Sequence, residues 1–211
     1  QQAARLAATR LFSVISGGPG TGKTYTVAKI ILLLQRLASG RPLKILLAAP
    51  TGKAAARLQE AVAALLEKEA EDREDFKTTL PEAQTLHRML GYMPSEGRFR
   101  YNAEHPLAAD AVIVDEASMI DLALMHQLVQ AVPQTARLVL VGDKDQLASV
   151  EAGAVLGDIC HGVAAHGSEP SANESVLARH ITVLGHSYRF DAGSGIGSLS
   201  RAINASNASQ V

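Results

Sequence analysis

The residues with the clearest chemistry lie near the start of the chain. Gly17-Gly18-Pro19-Gly20-Thr21-Gly22-Lys23-Thr24 matches the phosphate-binding pattern G-x-x-x-x-G-K-[ST] at every position. Glycines let backbone N–H groups approach phosphate oxygens closely, and the start of a following helix adds the positive end of its dipole. Lys23 is predicted to reach the β- and γ-phosphates, and the Thr24 hydroxyl is predicted to ligate Mg²⁺. The predicted nucleotide-binding residues are Gly18, Pro19, Gly20, Thr21, Gly22, Lys23 and Thr24.

Two carboxylates follow an apolar run farther along the chain, in Val112-Ile113-Val114-Asp115-Glu116. In an open α/β sheet the ligand lies beyond the carboxyl ends of the strands. Asp115 is therefore predicted to hold the Mg²⁺ shell, and Glu116 to accept a proton from the water that attacks the γ-phosphate. A GTPase would need Asp-x-x-Gly here and Asn-Lys-x-Asp later, and the sequence has neither. These differences favour ATP as the nucleotide.

A third apolar run ends in polar residues, in Val139-Leu140-Val141-Gly142-Asp143-Lys144-Asp145-Gln146. The neutral amide of Gln146 can hydrogen-bond both a γ-phosphate oxygen and a water molecule, so it can report hydrolysis. The alternative is an ordinary Gly-Asp turn with Gln146 on the surface.

These groups need a scaffold that brings strand ends together. Apolar runs at residues 11–15, 45–49, 111–114 and 138–141 predict strands buried on both faces, and residues 181–184 predict a weaker fifth strand. Helical spacing lies between them at residues 24–38, 54–69 and 122–132, and again at 196–203, whereas residues 67–77, 91–106 and 162–179 suggest loops. Strands that alternate with helices predict an α/β fold of the P-loop NTPase type: a parallel sheet of four or five strands with helices on both faces.

Composition limits the class of protein. The chain has 211 residues, 47% of them hydrophobic and 19% charged, and its net charge of −1 excludes a broadly basic coat while allowing a local positive track. One cysteine excludes an internal disulfide framework and any Cys-rich zinc site. Its apolar runs are too short to span a bilayer, and none has signal-peptide flanks, so we expect a cytoplasmic protein without a membrane partner. The first residue, Gln1, suggests a piece of a longer chain, and we expect residues 1–211 to form a single domain.

The motifs together resemble superfamily 1 helicases. Besides the three described above, Ala49-Pro50-Thr51-Gly52-Lys53-Ala54-Ala55, Thr85-Leu86-His87 and Ser187-Tyr188-Arg189-Phe190 occur in the order of helicase motifs Ia, Ic and IV. The longer strings at 15–23, 48–57, 115–121 and 146–159 resemble the RecD-type subunit, the alpha chain of exodeoxyribonuclease V. That resemblance implies a RecA-like fold and a DNA-stimulated ATPase that moves 5′ to 3′ on single-stranded DNA. It also implies work beside the beta and gamma subunits in double-strand-break repair and recombination.

The resemblance also implies roles for individual residues. Lys23, Glu116, Gln146 and Arg189 correspond to catalytic positions, with Arg189 contacting the γ-phosphate; the alternative for Arg189 is a surface ion pair. Gln1 precedes the loop at about the spacing of the residue that reads adenine, although a terminal Gln can also be disordered. The implied DNA-binding residues are Pro50, Thr51, Lys53 and His87. For Thr51 and Lys53 the alternative is a helix cap beside a solvated lysine, and for His87 it is a structural histidine.

The later helicase motifs V and VI are missing, so the resemblance covers the first motor lobe alone, and the family's N-terminal region is missing as well. We expect this lobe alone to bind nucleotide weakly and to hydrolyse it very slowly, because translocation needs two lobes that close on ATP. The competing hypothesis is a non-catalytic docking module for partner subunits, stabilised by ATP. A small-molecule kinase is disfavoured because no lid segment is evident.

Overall fold

Short aliphatic runs form the centre of the molecule, as the sequence predicts. The computed structural model describes residues 1–38, 41–71, 81–146, 155–164 and 176–188. The strands are β1 (Phe12–Gly17), β2 (Ile45–Ala49), β3 (Ala83–Thr85), β4 (Tyr92–Met93), β5 (Arg98–Phe99), β6 (Ala111–Val114), β7 (Arg137–Gly142) and β8 (Ile181–Leu184). The helices are α1 (Gln2–Thr9), α2 (Lys23–Leu37), α3 (Gly52–Glu71), α4 (Leu86–Met89), α5 (Leu122–Ala131) and α6 (Val155–Ala164).

Six strands form one sheet in the order β3-β2-β6-β7-β1-β8. Every pair in it is parallel, so all carboxyl ends lie at the same edge. β1 lies between β7 and β8, with Val14 opposite Leu140 on one side and Ile181 on the other. The loop after β1 and the residues after β6 and β7 therefore share one edge of the sheet, as the predicted site requires.

Helices cover both faces of the sheet, which confirms the predicted fold class. On the first face α1, α2 and α3 pack on alternate strand residues, namely Ile15, Ile45, Leu47, Ala111, Ile113, Val139 and Val141. On the other face α4, α5 and α6 pack on the residues between them, namely Val14, Ala48, Val112, Val114, Leu138 and Leu140. Because neighbouring strand residues point to opposite faces, a continuous aliphatic run supplies both cores.

Two features of the sheet differ from the prediction. The large sheet has six strands instead of four or five, because the three-residue β3 joins its edge beside β2. Residues 91–106 are not entirely loop, since Tyr92 pairs with Phe99 and Met93 with Arg98 in an antiparallel hairpin. Gly97 has a φ of +62° in the connection, a conformation that glycine adopts at little cost.

Three helices, α1, α4 and α6, were not predicted. α1 buries Ala3, Ala4, Ala7 and Ala8, and alanine gives a weak apolar signal although it favours helix strongly. The predicted helix at 196–203 and part of the predicted loop at 162–179 lie outside the described residues. Within the described part of the chain, no helix is long and apolar enough to cross a membrane.

Candidate functional site

The phosphate loop connects β1 to α2 at the carboxyl edge of the sheet. Gly20 and Gly22 have φ values of +77° and +83°, which β-carbon-bearing residues rarely adopt. The Thr21 hydroxyl donates a 2.8 Å hydrogen bond to the Gly18 carbonyl oxygen, and the Thr26 hydroxyl donates a 3.0 Å bond to that of Gly22. These bonds hold the loop in a tight curve that ends at the first turn of α2.

Lys23 bends back over this loop. Its ammonium Nζ donates to the carbonyl oxygens of Gly17 at 2.7 Å and Gly18 at 3.2 Å. The backbone amides of Lys23 and Thr24 are in the first turn of α2 and donate to no carbonyl among the described residues. Amides in that position, together with the helix dipole, form an anion site. The residues present therefore fit a phosphate chain.

The acidic pair lies directly after β6. Asp115 is 8% exposed, and its Oδ1 accepts a 2.9 Å hydrogen bond from the backbone amide of Glu116. Glu116 has a φ of +52°, and it is the only residue other than glycine with a positive φ in the described ranges. That left-handed conformation ends the strand and begins a short 3₁₀ turn, Ala117–Met119.

Burial raises the pKa of Asp115 from 3.8 to about 6. The nearby Glu116 carboxylate also raises this pKa, whereas the hydrogen bond from the Glu116 amide and the Lys23 ammonium lower it. A buried carboxylate that is costly to ionise is stabilised by a cation beside it. The chemistry of Asp115, with the Thr24 hydroxyl on the same cavity wall, therefore fits Mg²⁺.

The polar residues after β7 are fixed to both neighbouring strands. The Ser16 hydroxyl of β1 accepts a 3.0 Å hydrogen bond from the Lys144 amide. The Ser118 hydroxyl, after β6, donates a 2.7 Å bond to Oε1 of Gln146. The segment from Asp143 to Gln146 is thus tied to β1 just before the phosphate loop and to the 3₁₀ turn just after the acidic pair.

These groups face one cavity of about 930 Å³. Its walls contain nine residues predicted to act on the phosphates and the metal, namely Pro19, Gly20, Thr21, Gly22, Lys23, Thr24, Asp115, Glu116 and Gln146. The structure therefore brings together the loop, the acidic pair and the glutamine, as the sequence predicts. Arg189 lies outside the described residues.

A second cavity, of about 1070 Å³, adjoins the first along the loop, since Gly20, Thr21 and Gly22 line both. Gln1 lines it together with Gly20 and Gly22, so the predicted adenine-reading residue lies beside the phosphate site. Tyr25 and Tyr188 also line it and are 52% and 80% exposed. The arrangement provides two aromatic faces and one amide next to the phosphate loop, which suits a planar base.

The predicted DNA-binding residues do not lie together. Thr51 and Lys53 line the 930 Å³ cavity, and the Thr51 hydroxyl accepts a 3.2 Å hydrogen bond from the Ala54 amide at the start of α3. The alternative role of Thr51 as a helix cap is therefore observed. His87 instead lines a separate cavity of about 560 Å³ beside the β4–β5 hairpin, where its ring contacts Tyr92 and Phe99 at 5.5 and 5.7 Å between centroids.

Comparison with known proteins assigns the chain to a family. Residues 1–152 match the family model AAA_19, described as an AAA domain. The chain belongs to the AAA_19 family. This chain is 45% identical over 210 residues to the RecBCD enzyme subunit RecD of Mycolicibacterium smegmatis, which covers 98% of the chain and 35% of the relative. It is 42% identical to RecD of Haemophilus influenzae, and the match covers 91% of the chain and 33% of that relative. The predicted resemblance to RecD-type helicases is confirmed, and the chain spans about a third of the length of these relatives.

One further relative and two solved structures are also similar to this chain. The ATP-dependent RecD2 DNA helicase of Deinococcus radiodurans is 44% identical over 149 residues, which cover 71% of this chain and 18% of the relative. The Pif1 helicase of Candida albicans has a TM-score of 0.58 at 17% identity, covering 96% of this chain and 42% of that one. Bacteroides Pif1 in complex with ADP-AlF4 has a TM-score of 0.55 at 19% identity, and the match covers 100% of this chain and 46% of that one. These likenesses support the predicted RecA-like fold, and the AAA family implies nucleotide binding.

Three residues in or beside the site were given no role from sequence. Tyr25 lies one residue past the phosphate-loop pattern, Tyr188 lies in the predicted motif IV, and Ser118 lies in the string after Asp115-Glu116. Tyr25 is on the exposed side of the first turn of α2, a position that the loop pattern itself indicates. The contacts of Ser118 and Tyr188 join segments far apart in sequence, and no local pattern signals them.

Proposed function

We propose that this chain is the ATP-binding and ATP-hydrolysing motor lobe of a RecD-like 5′ to 3′ DNA helicase subunit of exodeoxyribonuclease V. The subunit would act with beta and gamma subunits on single-stranded DNA in double-strand-break repair and recombination. The observation that carries the proposal is the convergence of Lys23, Asp115, Glu116 and Gln146 on one cavity at the carboxyl edge of the sheet. The similarity to RecD subunits along nearly the whole chain supports the choice of helicase among ATPases.

Each of these residues has a distinct task in hydrolysis. Lys23 now donates to two loop carbonyl oxygens, and the same ammonium would turn to the β- and γ-phosphates of ATP. Thr24 and Asp115 would hold Mg²⁺, which when bound neutralises charge on the phosphates. Glu116, held by its left-handed backbone beside Asp115, would accept the proton of the attacking water. The Gln146 amide and, by family resemblance, Arg189 would contact the γ-phosphate.

The base and the DNA would occupy different surfaces. Gln1 would hydrogen-bond the adenine edge in the 1070 Å³ cavity beside the loop. Pro50, Thr51 and Lys53 at the start of α3, together with His87 beside the hairpin, would contact single-stranded DNA. The helix start at Gly52 offers backbone amides for a DNA phosphate, and the exposed Lys53 offers an ammonium.

The experiment is a Glu116→Gln substitution in the intact protein, with DNA-stimulated ATP hydrolysis and DNA unwinding as readouts. We expect hydrolysis to fall by about 10² or more, because a general base contributes that much, while ATP binding is kept. Glu104→Gln changes an exposed glutamate that lines none of the three cavities described above and serves as the control. Unwinding that survives Glu116→Gln would support the competing docking-module hypothesis, which the comparisons do not favour.

A further inference from the structure

A hydroxyl outside the predicted catalytic set lies in contact with one of its members. Ser118 Oγ donates a 2.7 Å hydrogen bond to Oε1 of Gln146. Ser118 follows β6 and Gln146 follows β7, so the bond joins the ends of two neighbouring strands. Ser118 is 6% exposed, whereas Gln146 is exposed on the cavity wall.

The position of Ser118 is fixed by close packing beneath it. The 3₁₀ turn that contains Ser118 rests on Gly142, the last residue of β7. A β-carbon on Gly142 would lie 3.0 Å from the Ser118 backbone nitrogen and 3.3 Å from that of Ala117. Because the turn approaches β7 so closely, the Ser118 hydroxyl has little freedom to leave its place under Gln146.

This bond ties the carbonyl end of the Gln146 amide and leaves the NH₂ end free to face the ligand. A glutamine amide has one carbonyl oxygen, which accepts, and one NH₂ group, which donates. Ser118 donates its proton to the carbonyl oxygen, so the two N–H donors of Gln146 remain for another acceptor. In the opposite orientation the amide oxygen would face the γ-phosphate and repel it. Because a serine hydroxyl can donate or accept, Ser118 tethers the amide, and a phosphate oxygen, which only accepts, favours the observed orientation with the NH₂ group outward.

We propose that Ser118 is a positioning residue for ATP hydrolysis, which acts by holding the Gln146 amide with its NH₂ group toward the γ-phosphate. This inference rests on the proposed function, since it assigns Gln146 to the γ-phosphate. Ser118 itself does not touch the nucleotide in this scheme. It links the acidic segment after β6 to the glutamine after β7, so both respond together to a change at the γ-phosphate.

The first test is a double-mutant cycle in the intact protein, with kcat and KM measured for DNA-stimulated ATP hydrolysis. Ser118→Ala should lower kcat by about tenfold, the effect of one hydrogen bond, with KM for ATP changed less than about twofold. The Ser118→Ala/Gln146→Ala double variant should match Gln146→Ala alone, because Ser118 acts only through Gln146. Independent, multiplicative losses would overturn the proposal, and so would a kcat of Ser118→Ala equal to that of the unaltered protein.

The control is a second buried serine, which lies in the sheet itself. Ser13 of β1 is fully buried, and within the described part of the chain its hydroxyl has no hydrogen-bond partner. Ser13→Ala also removes a buried hydroxyl but breaks no hydrogen bond, so it should leave kcat unchanged. Thermal unfolding of both alanine variants separates a loss of fold from a loss of positioning. Ser118→Thr, which keeps the hydroxyl, should restore most of kcat if it folds.

Gln146→Glu tests the chemical group directly. A glutamate there still accepts the Ser118 hydrogen bond but offers no N–H to a phosphate, so kcat should fall at least as far as in Gln146→Ala. Activity retained in Gln146→Glu would overturn the proposal. Absence of ATP hydrolysis by the unaltered protein would instead overturn the proposed function together with this inference, whereas an active protein indifferent to Ser118→Ala overturns the inference alone.

Discussion

The backbone amide of Tyr188 donates a 2.9 Å hydrogen bond to the carbonyl oxygen of Gly20, which joins the segment after β8 to the phosphate loop. The Ser187 hydroxyl adds a 3.2 Å bond to the Pro19 carbonyl oxygen. The edge strand β8 thereby supports a loop that begins one strand away. Tyr188 remains 80% exposed, and its ring lies beside Gly22 in the cavity that Gln1 also lines.

Tyr188→Ala should weaken binding of adenine nucleotides without unfolding the domain. Stacking of a base on an aromatic ring contributes about 1–3 kcal/mol, so we expect at least a fivefold increase in Kd for ATP. Because the Tyr188 hydrogen bond uses its backbone amide, the loop should keep its shape in the variant. Fluorescence titration with a labelled nucleotide measures the change. Tyr92→Ala removes an exposed tyrosine from the hairpin and should leave Kd unaltered.

The pKa of Asp115 predicts a specific dependence of stability on pH. The folded value of about 6 exceeds the reference value of 3.8, so between these values the folded chain holds more protons than the unfolded chain. The contribution of Asp115 to the free energy of unfolding should therefore fall as pH rises from about 4 to 6, by up to roughly 3 kcal/mol. Asp115→Asn removes this contribution. The stability of the variant relative to that of the unaltered chain should therefore increase as pH rises from about 4 to 6.

Urea unfolding of both chains at several pH values measures this difference. Parallel stability curves for Asp115→Asn and the unaltered chain would show that the carboxylate is not buried as described. Mg²⁺ and ADP together should stabilise the unaltered chain more at pH 7 than at pH 5, because a protonated carboxyl is a poor metal ligand.

Gly142→Ala should destabilise the domain. The added β-carbon would lie 2.6 Å from Cδ2 of Leu156 and 3.0 Å from the backbone nitrogen of Ser118, and a crowded core cannot accept it without movement. We expect a loss of about 1–3 kcal/mol, measured by chemical denaturation. Gly52→Ala is the matched control, since nothing lies within 4 Å of its added β-carbon. That variant should be as stable as the original chain or slightly more stable, and an equal loss in both variants would contradict the packing described at Gly142.

Much of this site could be predicted because its groups follow apolar strands. Lys23 and Thr24 lie in a pattern whose spacing is set by phosphate geometry, and Asp115, Glu116 and Gln146 follow strands that the sequence shows clearly. Parallel strands bring such residues to one edge, so strand recognition alone places them near one another. The strands 45–49, 111–114 and 181–184 were predicted with the bounds found in the structure.

The remaining features depend on contacts between distant segments. β3 is three residues long, and each is partly exposed, so tertiary pairing with β2 rather than a hydrophobic pattern defines it. The β4–β5 hairpin has two residues in each strand, too few for alternation to show. The bonds of Ser118 to Gln146 and of Tyr188 to Gly20 span 28 and 168 residues respectively (146 − 118 and 188 − 20). Local sequence carries no signal for such pairs.

The most direct test of the central claim is calorimetric titration of Mg²⁺ and ATP into the 211-residue chain, beside Lys23→Ala and the control Lys44→Ala. Lys44 is exposed and lies outside the cavity. We predict weak but measurable binding, with turnover far slower than that of an intact helicase, and at least a tenfold weaker Kd for Lys23→Ala alone. No heat from the unaltered chain, or equal binding by all three proteins, would contradict the assignment of this loop to the phosphates of ATP.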